Sequence, residues 1–346
     1  MPFAKPYNLI LVTSPADAKR FIAMAPSLYK GDSTYVRPLD ADIAQVFNPA
    51  TNQAFAFGKL QRWLLCDADN QCIGRIAAFT DSRKMQDGLI KPGGMGFFEC
   101  VNELPAATTL LQAAEQWLAS QGANAVDGPI NFGDRDRWWG LLVQGFTRPS
   151  YGCAYNPPYY QHLLEANGYQ NYFEQYTYYR PVLRELHPII HARARRVFAN
   201  PAYTFKHIKL QDIGLHTEQF RAIYNKAWAH HSGVQELSAE VAAKLVAQLK
   251  HVFDPKLIWF AYYEAEPVAF FVSLPDVNEI IAKLGGKFGW WQQMQFWYYK
   301  NFTQLGRMFG LVFGVVPEQQ SKGIESAIIL ASATVLHDTR QIKYQD

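Results

Sequence analysis

The residues best placed to do chemistry lie between Leu311 and Leu330, LVFGVVPEQQSKGIESAIIL. An apolar run ends in Val315-Val316-Pro317-Glu318, and a polar loop Gln319-Gln320-Ser321-Lys322-Gly323 follows. A helix then begins, with Ile324, Ala327, Ile328, Ala331 and Val335 on one stripe. Such a strand–loop–helix joint leaves several amide N–H groups unpaired at the helix start, and these suit a phosphate-bearing ligand. The candidate binding residues are Val315, Gln320, Ser321, Lys322, Gly323 and Ile324. The competing explanation is an ordinary helix start, with Pro317 and Gly323 making a turn ahead of a buried stripe.

Other polar groups are weaker candidates. Asp276 and Asn278 (Pro275-Asp276-Val277-Asn278) follow an apolar strand, where a loop-borne acid and amide could grip a substrate amine; both are also standard turn formers. Asp127 to Arg137 (DGPINFGDRDR) sets alternating acids and bases beyond another strand, where mutual surface pairing competes with a substrate-side role. His230-His231 point to different faces of a helix, a poor arrangement for a shared metal. No GxxxxGK[ST], HExxH, GxSxG or strand-borne GxGxxG occurs, and no metal site is expected.

These groups need a scaffold, and 346 residues at 49% hydrophobic and 18% charged content describe a folded chain of two domains. A net charge of +3 without a dense basic block argues against nucleic acid. The most basic run, His191 to Arg196 (HARARR), reads as a solvated helix face between domains. Cys66, Cys72, Cys100 and Cys153 form no metal-spaced pair, so free, mostly buried thiols are expected. The N-terminus carries no signal-peptide pattern, and no apolar run reaches the roughly 18 residues of a membrane span; a cytoplasmic location is the expectation.

In chain order, Tyr7–Val12 reads as a strand and Ser14-Pro15 as the start of a helix to about Tyr29. An irregular stretch over 30–58, with one or two short helices, precedes a hairpin over Trp63–Phe79 that turns at Asp67-Ala68-Asp69-Asn70. Strand Gly94–Val101, helix Pro105–Ser120, a short strand over Ala125–Phe132, a Pro-started helix within Tyr155–Tyr169 and a Tyr-rich strand Asn171–Val182 complete a first domain over 1–183. A linker helix is expected over 184–201. The pattern then restarts in a second domain over 202–346: strand Tyr203–Leu210, helices Thr217–His230 and Ser238–Phe253, and a hairpin over Leu257–Ser273. Strand Met308–Val316, helix Gly323–His337 and the start of a strand at Gln341–Gln345 follow. A structural duplication is the economical explanation. Residues 285–302 (GGKFGWWQQMQFWYYKNF) interrupt the second half, with Trp290, Met294 and Trp297 on one helical face. Packing against the rest of the fold is expected, ahead of a lid, an acyl-chain surface or a membrane contact.

Val315 to Glu325 resembles the signature of the GNAT superfamily of N-acyltransferases: a strand, then Gln/Arg-x-x-Gly-x-Gly/Ala, then a helix, with Gln320 and Gly323 in place. Tyr155-Asn156-Pro157-Pro158 through Leu163-Leu164-Glu165-Ala166-Asn167-Gly168-Tyr169 is similar to the late helix of that superfamily. The resemblance implies an α/β protein of two GNAT-like domains, each a mixed, mostly antiparallel sheet flanked by helices. It also implies acetyl-CoA or another acyl-CoA as co-substrate, with the loop amides on its pyrophosphate and a small-molecule or peptide amine as acceptor. It further places Glu99 on the strand where family enzymes hold a carboxylate that deprotonates the amine, with Glu103 as a neighbouring candidate or a helix cap; alternation along the strand could instead turn Glu99 to solvent. A homodimer is allowed. Two positions depart from the pattern. Glu325 replaces Gly or Ala, and at ~5 Å and an effective dielectric of ~20 it would repel each pyrophosphate charge by ~3 kcal/mol. Leu164 stands where the proton-donating Tyr is expected. The first domain also lacks the signature loop. The rival readings are a GNAT-fold binding module without catalysis, and a Fem-like aminoacyl transferase using charged tRNA.

Overall fold

A computed structural model describes residues 7–85, 88–133, 135–182, 184–228, 236–249, 252–303 and 305–338. The chain divides into two compact units, Met1–Thr177 with Ile280–Trp297, and Tyr178–Glu279 with Tyr298–Asp346. His230-His231 and the strand expected at Gln341–Gln345 lie outside the described residues.

The first unit is built on a five-stranded sheet whose order follows the sequence. Strand β1 (Asn8–Leu11) leads into helix α1 (Pro15–Leu28) and the short α2 (Asp40–Val46). The start of α1 is legible in its residues. Ser14 accepts from the Asp17 amide while the Asp17 side chain reaches back to the Ser14 amide, and Pro15 pre-sets the first turn. Strands β2 (Leu60–Cys66) and β3 (Cys72–Phe79) form the expected hairpin, followed by β4 (Pro92–Cys100), α3 (Leu104–Ser120), β5 (Ala125–Asp127) and α4 (Tyr160–Ala166). Pairing is antiparallel except for β4 with β5, which run parallel for only three residue pairs. The core packs Leu110, Leu111, Ala114 and Leu118 of α3 against Leu65, Ile76, Met95 and Phe98 of the sheet.

One expectation fails here. The run Asn171–Val182 forms no strand: Tyr172, Phe173, Tyr176, Tyr178 and Tyr179 are exposed on alternating positions, so neither face has a core to cover. Strand propensity expresses fit to a half-buried pleated surface, and without one the aromatic run stays irregular. Helix α4 covers only the middle of the predicted 155–169 span and closes at Gly168, whose φ is +89°.

The second unit opens with α5 (Pro188–Phe198), then β6 (Tyr203–His207), α6 (Ile213–Trp228), α7 (Ala239–Leu249), β7 (Ile258–Tyr263) and β8 (Glu266–Pro275). Along the chain, helices α8 (Asn278–Leu284) and α9 (Trp290–Phe302), which fall largely in the first unit, precede β9 (Met308–Val315) and α10 (Ile324–Asp338) of the second. Its sheet runs β6-β7-β8-β9, all antiparallel. The β7–β8 hairpin turns on Glu264 and Ala265, both at positive φ, which matches the twist of a two-residue loop.

The α/β class with mostly antiparallel sheets is as expected. Helix α5 is not a solvated linker, however. Ala194 and Val197 are buried against Ala327 of α10, so α5 is a core element of the second unit. Nor is the aromatic stretch packed away, since no residue of α9 is buried.

Candidate functional site

Strand β9 ends at Val315, buried at the sheet edge, and α10 begins after eight intervening residues. The loop between them is held from inside. Gln319 is 8% exposed, and its Oε1 accepts from the Tyr203 hydroxyl at 2.7 Å and from Lys322 Nζ at 3.1 Å. The Gln320 side-chain Nε2 donates to the Val315 carbonyl at 3.1 Å, pinning the strand end to the loop. Ser321 and Gly323 both adopt left-handed backbone, with φ of +61° and +90°. Alternation of left-handed and ordinary residues turns successive amides toward one side, the geometry of an anion-binding nest. Gly323 is needed for its φ, and it lies close enough to α5 that a Cβ there would touch the Arg193 Cβ at 3.4 Å.

That close approach brings α5 against the start of α10. The resulting groove, of about 760 Å³, is lined by Arg193, Arg196, Trp228, Val315 and the loop from Gln320 through Ser326. Arg193 and Arg196 are three residues apart and share a helix face. Among the described residues neither makes a hydrogen bond or ion pair, and Glu325 makes no ion pair either. Two guanidinium groups and the positive end of α10 thus face one carboxylate, leaving the groove net positive. Sequence reasoning missed Arg193 and Arg196 because it placed α5 outside the fold. The apolar pair Ala194 and Val197, three residues apart on one helix face, was the available signal for a buried stripe.

Asp276 and Asn278 lie elsewhere. Asp276 is 2% and Asn278 6% exposed, and the Asp276 carboxylate accepts from the Asn278 amide at 3.1 Å and lies 4.0 Å from Arg307. They fix the turn from β8 into α8, beside Met308 at the opposite end of β9 from the loop. Eight strand residues at about 3.3 Å each separate the two places by about 25 Å. The predicted binding loop and this predicted pair are therefore not brought together.

Glu99 belongs to the first unit and does not face solvent. A bulge in β4 sets Phe97 and Phe98 opposite Ile76, with Phe97 at φ +51°, and Glu99 pairs in register with Arg75 just beyond it. The Glu99 side chain is 13% exposed. Its Oε2 accepts from Tyr160 at 2.7 Å and Tyr29 at 2.8 Å, and its Oε1 lies 3.5 Å from Arg75. Burial pushes the carboxyl above the ordinary carboxylate range, with Arg75 and the two hydroxyls pulling the other way. Tyr29 is itself pushed up, by burial first and by Glu99 second, and stacks on Tyr35 at 4.0 Å. Beyond the three pairs to β5, the edge of β4 is satisfied by side chains instead of a strand. The Cys100 amide donates to the Tyr160 oxygen at 2.8 Å, and Tyr159 donates to the Cys100 carbonyl at 2.8 Å. Leu164 is 4% exposed in the core. Glu103 occupies the cap position of α3 without a capping hydrogen bond, and accepts from Tyr7 at 2.7 Å. In the polar cluster, Asn131 is buried while Asp136 and Arg137 pair with each other at 3.5 Å. The four cysteines are free, with Cys66 and Cys72 sulfurs 3.3 Å apart. No metal-binding group of three or more ligands, and no helix long and apolar enough to cross a membrane, occurs among the described residues.

No family model matches the chain. It is 29% identical over 289 residues to a bacterial ceramide synthase of Caulobacter vibrioides, spanning 82% of this chain and 74% of that one. It is also 29% identical over 291 residues to the protein YghO of Escherichia coli, spanning 79% and 70%. Among solved structures it aligns with a tandem GNAT protein from the clavulanic acid biosynthesis pathway at a TM-score of 0.46 and 8% identity, covering 96% of this chain and 86% of that one. A glucosamine N-acetyltransferase region of a fungal multi-domain β-N-acetylglucosaminidase aligns at 0.47 and 12%, covering 97% and 34%. Over most of its length the chain is thus similar in sequence to a bacterial ceramide synthase, and its likeness among solved structures is to GNAT N-acetyltransferases.

Proposed function

We propose that this chain transfers an acyl group from an acyl-CoA to the amine of a long-chain amino alcohol. The observation that carries the reading is the groove of about 760 Å³ between α5 and α10, lined by Arg193, Arg196 and the start of α10 with its preceding loop. Charged donors and a helix N-terminus directed at one place suit the phosphates of coenzyme A. The sequence relative named a ceramide synthase supports the acceptor class, since a ceramide is the N-acyl derivative of a long-chain amino alcohol.

In this reading the free amine attacks the thioester carbonyl; a C–N bond forms, the C–S bond breaks, and the coenzyme leaves as thiolate and takes a proton. Positioning supplies most of the rate. Asp276 and Asn278 remain outside the reaction and hold the turn into α8.

The test is product formation from palmitoyl-CoA and sphinganine, read by mass spectrometry. The wild type is expected to yield the amide with release of one thiol per turnover. Replacing Arg193 and Arg196 by Ala should raise KM for the acyl-CoA by about 10–100-fold per side chain, the equivalent of a charge-assisted hydrogen bond of about 1.5–3 kcal/mol. Absence of both amide and thiol release across short and long acyl chains would refute the assignment.

A further inference from the structure

Cys66 and Cys72 face each other across the β2–β3 hairpin. They are register partners in the antiparallel ladder, so both side chains leave the same face of the sheet. Their sulfurs are 3.3 Å apart, and a disulfide needs about 2.05 Å. Pairing shifts between Leu65 and Cys66, so the two residues sit just beyond the regular ladder, where it no longer holds the backbone at fixed spacing. The turn that follows is already tied down. The Asp67 amide donates to the Gln71 carbonyl at 3.0 Å, and Asp67 Oδ1 accepts from the Asp69 and Gln71 amides at 3.0 and 2.9 Å. A crosslink around so short a loop removes little chain entropy, so the pair has little to add as a permanent staple.

The surroundings suit thiol exchange instead. Arg20 of α1 places Nη2 3.2 Å from the Cys66 sulfur, and the same nitrogen donates to the Asn70 carbonyl and side-chain oxygens at 3.3 and 3.2 Å. A guanidinium fixed beside a thiol pair favours the thiolate that attacks a disulfide. The two sulfurs are not equivalent. Cys66 is fully buried, and burial pushes its thiol up to about 12, with Cys72 adding to the rise and Arg20 opposing it. Cys72 is partly exposed, so it is the sulfur that an outside reagent reaches first. Cys100, by contrast, is fully buried in the first unit's core.

We propose that Cys66 and Cys72 are a redox modification site, a dithiol that a low-molecular-weight disulfide such as glutathione disulfide oxidises. The Cys72 thiolate attacks one sulfur of glutathione disulfide, whose S–S bond breaks; one glutathione leaves and takes the Cys72 proton. The Cys66 sulfur then displaces the second glutathione from the mixed disulfide and gives up its own proton to it. The dithiol has lost two electrons to the glutathione disulfide, which is recovered as two thiols. The site stands apart from the acyl-transfer reading, because it lies in the first unit and its oxidation is read without acyl-CoA or amine.

The experiment is incubation of the folded full chain with excess glutathione disulfide, then acid quenching, alkylation and mass spectrometry of peptides cleaved at Asp67 and Asp69. The wild type should lose two hydrogens, show the Cys66 and Cys72 peptides joined, and regain both thiols in dithiothreitol. Cys66→Ser should instead retain one glutathione on Cys72. Cys72→Ser should react about tenfold or more slowly, since only the buried thiol of the pair is left. Arg20→Gln should slow oxidation of the intact pair several-fold. Unchanged circular dichroism spectra and melting curves in the reduced state show that each variant keeps the fold. A folded wild type whose Cys66 and Cys72 stay reduced, or a Cys72→Ser variant that reacts at Cys66 as fast as the wild type, would overturn the proposal. So would a lasting glutathione adduct on Cys72 of the wild type, since Cys66 would then not be placed to displace it.

Discussion

Arg193 and Arg196 change the meaning of Glu325. Taken with its own loop, that carboxylate repels an incoming pyrophosphate. With two unpaired guanidinium groups across the groove, it becomes one negative charge in a positive surround. Glu325→Ala should accordingly tighten acyl-CoA binding by a few-fold, whereas Arg193→Ala and Arg196→Ala weaken it; equilibrium dialysis separates the two signs. Glu99 makes a different prediction. Its folded pKa is raised above the ordinary value of 4.5, so the folded chain holds that proton more tightly than the unfolded chain. The stability it contributes is complete below the unfolded value and is lost as pH rises through the folded one. Glu99→Gln keeps the shape of the protonated acid. The melting temperature of the variant minus that of the wild type should therefore grow as pH rises above 4.5, and a flat difference would contradict the upward shift.

Two equivalent joints show how element geometry decides function. Between β4 and α3 the connection is three residues, Val101 to Glu103; between β9 and α10 it is eight, Val316 to Gly323. Only the longer one can turn its amides into a nest, and Gly323 is what lets that turn lie against α5. Gly323→Ala should cost about 1–2 kcal/mol from the left-handed φ alone, measured by denaturant unfolding. In the first unit, Gly96→Ala would place a Cβ 1.8 Å from the Ile130 carbonyl oxygen, forcing the backbone to move, with an expected loss of at least about 1–3 kcal/mol. Elements with local signals were legible in the sequence. The Ser14/Asp17 cap, both hairpins and the α3 stripe are fixed by residues within a few positions of one another. What was not legible came from long-range partners. The β4 bulge beside the Glu99–Arg75 pair needs Ile76 opposite it, and the groove needs α5 packed on α10 through Ala194, Val197 and Ala327. The Asn171–Val182 run had the right side chains for a strand and no sheet edge to receive it.

At the scale of the chain, the two units repeat one scheme. Each has four antiparallel strands in sequence order, a hairpin at the centre, and a helix directly after the fourth strand. The repeats have diverged in what they do with that last joint. In the first unit Tyr159 and Tyr160 occupy the open edge of β4, and the short connection offers no anion nest. In the second the loop, the helix start and two arginines converge. Coenzyme should therefore bind once per chain. The most direct measurement is calorimetric titration of the intact protein with acyl-CoA, beside Gly323→Asp, which puts a carboxylate into the nest. The account predicts one site per chain in the wild type and none in the variant; two sites, no site, or equal affinity in the variant would contradict it.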